Sequence, residues 1–236
     1  MPAPVVLIPD RLCDARIFAP QIAALSATRA VHVAPITRGA SIEEIAGAVL
    51  EDAPDRFALA GLAMGGTVAL DVLRQRPDRV LRLALLDTSP LPETPQIAAS
   101  REPQIVAARS DRLLDVVREE LLPSYLAAGP RRGEVRKVAL AMAEALGPEV
   151  FVRQTRALQR RPDPQSVLKS VKVPTLVLCG REDAVCPVRH HELMATLAPG
   201  ATLEIIDGAG HLPTLEAPEA TNAALERWLS GTLLLT

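Results

Sequence analysis

The stretch "FALAGLAMGGTVAL", residues 57–70, decides how this chain is read. Its unbroken apolar start has the length and composition of a buried strand. Gly61, Gly65 and Gly66 bracket a turn, and the residues after them carry helical spacing. A strand that reverses this sharply into a helix leaves no room for side chains at the bracketing positions, so glycine stands there. Such a turn holds its apex residue at sparsely populated backbone angles and lifts the side chain above the sheet. The next amide, on Met64, and the positive end of the new helix face the same point. The apex is Ala63, a methyl group on a pedestal that serves nucleophiles. A phosphate cradle fits less well, because the glycines do not space as G-x-G-x-x-G and no G-K-[ST] follows.

Outward from this turn, short apolar runs alternate with helical patterns. Strands are expected at 4–9, 30–35, 56–62, 80–88, 173–180 and 201–207. Ser41 and Glu44 form a capping box for a helix over 41–52. Continuous rather than alternating apolar strands point to a parallel sheet covered on both faces. Between about 89 and 170 the pattern is helical, charged and broken by prolines, with no strand. The expected architecture is therefore an α/β fold, a doubly wound and mostly parallel sheet. Residues 1–89 and 166–236 form its core and 90–165 a helical cap, and "GTLLLT" (231–236) is read as a loose tail.

Composition narrows the function classes. The chain has 236 residues, 48% of them apolar, enough for a sizeable core. A net charge of −2 gives no reason to expect nucleic acid or an anionic membrane as partner. No apolar run approaches the roughly 18 residues of a membrane helix, and the start lacks a signal-peptide pattern. Cys13, Cys179 and Cys186 are odd in number and lack metal-ligand spacing, which suits reduced thiols in a cytoplasmic protein. The expected partner is a small-molecule substrate, with no metal or other cofactor, and a monomer or homodimer as the assembly.

Two further segments complete the picture. "LCGREDAVCP" (178–187) places Asp183 at the carboxyl end of a strand, and "IIDGAGHLPTLEAPE" (205–219) places His211 in a glycine-containing loop after the next. Sites in open α/β sheets form at the carboxyl ends of strands, so apex, acid and histidine would share one rim. Together with "VVLIPDRLCDARIF" (5–18) and "LALLDTSP" (83–90), these pieces follow the order of the α/β-hydrolase superfamily, which the chain resembles over almost its whole length. The resemblance implies an ester hydrolase acting through an acyl-enzyme. His211 would be its base, Asp183 the acid that orients it, and position 63 the nucleophile's place. The Met64 amide would be one oxyanion donor and the Arg11 amide the second. Many relatives have His-Gly where this chain has Pro9-Asp10, so Asp10 is a second departure beside Ala63.

Three explanations of Ala63 stay open: a deliberate serine-to-alanine variant that keeps substrate intact, a natural small-molecule binding protein of the same fold, and an enzyme with another nucleophile. The retained Asp183 and His211 favour the first. Asp87 is the rival acid, and Cys13 a rival nucleophile that lies off the elbow. His32 is expected in the core, and His190 and His191 in solvent. The Arg11 side chain is expected in a surface ion pair with Asp10 or Asp14. Arg153, Arg156 and Arg160 are read as a solvated helical face. Leu12, with Tyr125, Met142 and Phe151 of the insertion, are the candidate substrate contacts. Aliphatic side chains with few aromatics suggest a small to medium apolar ester or lactone.

Overall fold

A computed structural model describes residues 2–231, so the expected tail at 232–236 lies outside the described residues. The first half of the chain alternates as its apolar runs demand. It runs β1 (Val5–Ile8), α1 (Ala19–Leu25), β2 (Val31–Val33), α2 (Ile42–Asp52), β3 (Phe57–Leu62), α3 (Met64–Gln75) and β4 (Val80–Leu86). Helices follow without a strand: α4 (Pro95–Ser100), α5 (Glu102–Ala107), α6 (Leu113–Asp115), α7 (Leu122–Tyr125), α8 (Arg132–Gln159) and α9 (Gln165–Lys169). The alternation resumes with β5 (Thr175–Gly180), α10 (Val188–Leu197), β6 (Thr202–Ile206), α11 (Pro213–Glu216) and α12 (Pro218–Ser230).

The six strands pair in the order β2-β1-β3-β4-β5-β6, every pair parallel. β1, β3 and β5 are buried along their whole length, as a sheet covered on both faces requires. One apolar cluster lies on each face. The Ser41 capping box forms, with its hydroxyl accepting from the Glu44 amide at 3.2 Å. The strand order reverses direction between β1 and β3, and a crevice opens beyond the carboxyl ends of strands at such a point. The loop after β1 and the turn after β3 meet there.

The helical insertion packs on that end. α8 is broken at Gly147, whose φ of 78° precedes Pro148, and its second half folds back over the core. Gln154 on that half staples insertion to sheet: its side chain accepts from the Leu12 amide at 2.9 Å and donates to the Ile36 carbonyl at 3.0 Å. Among Arg153, Arg156 and Arg160, the outer two are exposed, while Arg156 is half-buried and paired with Glu102.

Candidate active site

The turn after β3 is built as its glycines require. A Cβ on Gly61 would overlap the Gly65 carbonyl, and one on Gly65 would overlap the Ile8 carbonyl of β1. Ala63 sits at φ 50°, ψ −108°, an unfavourable conformation for a residue with a side chain. Its carbonyl is held by the Gly66 amide at 3.0 Å and by the Thr88 hydroxyl at 2.7 Å. Thr88 is held in turn, its amide donating to His191 Nε2 at 3.1 Å.

Asp183 and His211 form the expected pair. His211 Nδ1 lies 2.8 Å from Asp183 Oδ2, and both side chains are almost wholly buried. The other carboxylate oxygen of Asp183 accepts from the amides of Val185 and Cys186 at 2.8 and 2.9 Å. Burial alone would push Asp183 up, but the His211 charge and these hydrogen bonds outweigh it and hold its pKa below the ordinary carboxylate value. Burial likewise opposes charge on His211. Attraction to Asp183, their hydrogen bond and the charge of Asp10 win, leaving the imidazole pKa raised.

Tyr125 of α7 secures the histidine from the insertion. The His211 amide donates to the Tyr125 carbonyl at 2.6 Å, and the two rings meet edge-on with centroids 4.7 Å apart. Glu216 closes the same loop by accepting from the amides of Leu212 and Ala127 at 2.9 and 2.8 Å. Asp87 makes no hydrogen bond to His211. Its Oδ1 accepts from the Gly180 amide at 2.8 Å, and burial followed by repulsion from Asp183 raises its pKa well above the carboxylate range.

The unexpected member is Asp10. Its carboxylate is 3% exposed and spans the apex of the site. Oδ1 accepts from the Met64 amide at 3.1 Å, while Oδ2 faces His211 Nε2 at 3.8 Å and has no hydrogen-bond partner. Met64 N–H is the expected oxyanion donor, so in this structure an internal carboxylate takes its hydrogen bond. The departure Pro9-Asp10 is visible in the sequence, but not the direction in which Asp10 points.

A cavity of about 780 Å³ opens over these groups, lined by Asp10, Ala63, Met64 and His211 below and by Tyr125, Ile97 and Arg161 among the upper walls. Asp183, Cys186 and His211 also bring possible metal-ligand atoms within 4.8 Å of one another. Asp183 and His211 are committed to each other, however, and burial pushes the Cys186 thiol well above its usual range.

The chain from residue 3 to residue 224 matches the model of the alpha/beta hydrolase family. The chain belongs to this family. The α/β-hydrolase is similar to a pimeloyl-[acyl-carrier protein] methyl ester esterase of Aromatoleum aromaticum, with 31% identity over 212 residues, 85% of this chain and 84% of the relative. Among solved structures it resembles a thermophilic esterase from Thermogutta terrifontis, with 28% identity and a TM-score of 0.88 over 96% of this chain and 89% of that one. An enol-lactonase from Burkholderia xenovorans LB400 shares the fold at 24% identity and a TM-score of 0.86, over 98% and 92% of the two chains.

Several sequence expectations for this α/β-hydrolase need correction. Of the four candidate substrate contacts, only Tyr125 lines the cavity. Leu12, at φ 55°, is buried with its amide on Gln154, and Met142 and Phe151 are fully buried in the core. The Arg11 side chain makes no surface ion pair. It is 5% exposed, donates to Thr155 Oγ1 at 3.1 Å and the Tyr125 hydroxyl at 3.3 Å, and stacks 5.1 Å over the Phe151 ring. Asp14 pairs with Arg16 instead. His191 is fully buried rather than solvated, while His190 is half-buried at the cavity wall. His32 is only partly buried. Cys13 is buried and does not line the cavity, and burial raises its thiol pKa well above the usual range.

Proposed function

We propose that this chain carries the binding and acid–base apparatus of a hydrolase for a small to medium, mainly apolar carboxylic ester or lactone, and lacks the hydroxyl that would form an acyl-enzyme. The Asp183–His211 pair, 2.8 Å apart and lying with its imidazole on the same cavity as Ala63, carries this reading. In the full reaction a hydroxyl at position 63 attacks the acyl carbon as His211 Nε2 takes its proton. The C–O bond to the leaving alcohol then breaks, with His211 returning that proton. Water repeats the cycle on the acyl-enzyme. The Met64 amide, with the Arg11 amide as second donor, would hold the oxyanion once the Asp10 carboxylate has withdrawn.

Ala63 alone suits a single deliberate exchange, but the carboxylate on the Met64 amide is a second departure at the same point. That observation favours the other reading, a non-catalytic receptor or carrier for small molecules. The experiment is Ala63→Ser assayed against a panel of p-nitrophenyl esters and lactones. Turnover is expected to rise from background and to return there in Ala63→Ser/His211→Ala, because loss of a serine nucleophile costs on the order of 10⁶-fold in kcat. No gain on any ester or lactone, even with Asp10 also replaced by glycine, together with tight ligand binding by the unaltered chain, would leave the receptor reading standing.

A further inference from the structure

We propose that the Asp10 carboxylate is a built-in occupant of the oxyanion hole, so that this chain closes the hole to substrate oxygen until Asp10 leaves. Three observations carry it. Met64 N–H, at the start of α3, donates to Asp10 Oδ1 at 3.1 Å. The second oxygen is buried, has no hydrogen-bond partner and lies 3.8 Å from His211 Nε2. The residue lines the floor of the cavity beside Ala63. A carboxylate here mimics the oxyanion of a tetrahedral intermediate: it satisfies the same amide, meets the same helix terminus and faces the same imidazole.

The consequence for reaction is direct. An acyl oxygen that develops charge at Met64 N–H would find the donor taken and a like charge beside it. Restoring a hydroxyl by Ala63→Ser is therefore not sufficient for full activity. The consequence for binding needs no chemistry at all. Emptying the hole leaves an amide, a helix N-terminus and an imidazole facing vacated space, which is a receptor for a small carboxylate.

The groups around His211 are fixed on every side: Asp10 and Arg11 after β1, Asp183 after β5, Tyr125 on α7, His191 on α10 and Glu216 on α11. Exchange of Asp10 removes one of these and leaves the Asp183 pairing intact.

The kinetic arm rests on the hydrolase reading, and the binding arm does not. For binding, the unaltered chain and Asp10→Gly are titrated with butyrate and followed by the Met64 amide resonance. Asp10→Gly should show saturable butyrate binding at Met64 at least tenfold tighter than the unaltered chain, and equal affinity overturns the proposal. Asp10→Ala keeps the Cβ and replaces the glycine variant should that one fold poorly.

For kinetics, Asp10→Gly/Ala63→Ser should exceed Ala63→Ser in kcat/KM by about 10²–10³-fold, the usual effect of one oxyanion donor, mostly through kcat. Equal rates in two active variants overturn the closed hole and leave the hydrolase reading intact. Two inactive variants, with butyrate binding enhanced as above, uphold the closed hole and defeat the hydrolase reading.

Discussion

At the scale of single residues, side chains to which the sequence assigns no chemistry control the elbow. His191, expected in solvent, is wholly buried and accepts from Thr88, which clamps the carbonyl of Ala63. Burial depresses its pKa to about 4. A histidine that the fold keeps neutral gains a proton more readily when unfolded, so it costs stability as pH falls from about 6.5 toward 4. The shift corresponds to about 3 kcal/mol. Urea unfolding of His191→Gln against the parent should therefore show a difference that changes by about that amount between pH 7 and 4, with the variant less sensitive to acid. His211 runs the other way. Its folded pKa is raised, so its pairing contributes fully below about pH 6.5 and fades as pH rises through the folded value. Asp183 and His211 are legible because strand ends and loop motifs place them. The direction of Asp10 is not, since Met64 is 54 residues away and only the folded crevice brings the two together.

At the scale of elements, the elbow is readable from spacing alone because the crowding that demands glycine is a backbone property. Gly65→Ala should destabilise the protein by about 3 kcal/mol or more, since the new methyl has only the backbone of β1 to displace. Chemical denaturation monitored by circular dichroism checks this. The insertion is legible as helical but not in its packing. Met142 and Phe151 read as pocket walls because helical apolar residues look alike from the sequence, whichever partner they meet. The break at Gly147-Pro148 turns the second half of α8 so that Phe151 meets Arg11 and Gln154 meets the strand ends. Gln154→Leu should cost about 3 kcal/mol, because it leaves the Leu12 amide and the Ile36 carbonyl buried and unpaired.

At the scale of the molecule, insertion and core share one apolar cluster, which runs from Val5 and Phe18 to Met142 and Phe151. They should unfold together. Fluorescence of Trp228, the chain's one tryptophan and part of α12, should share a single urea midpoint with the helical signal, much of which comes from the insertion. Two separate midpoints would show that the insertion melts alone. The parallel sheet with two covered faces is legible because its unbroken apolar runs must be buried on both sides, whereas the order of the strands is not written in those runs. Among the described residues no helix is long and apolar enough to cross a membrane. Tyr125 links the whole assembly, with its carbonyl on the His211 amide, its hydroxyl on Arg11 and its ring against the imidazole. Lifting α7 to admit a guest would therefore break the contacts that hold His211 from the insertion side. Leu91, Ile97 and Val185 also line the cavity, and Ile97 and Val185 are exposed, so a guest entering on their side would leave the contacts of Tyr125 undisturbed.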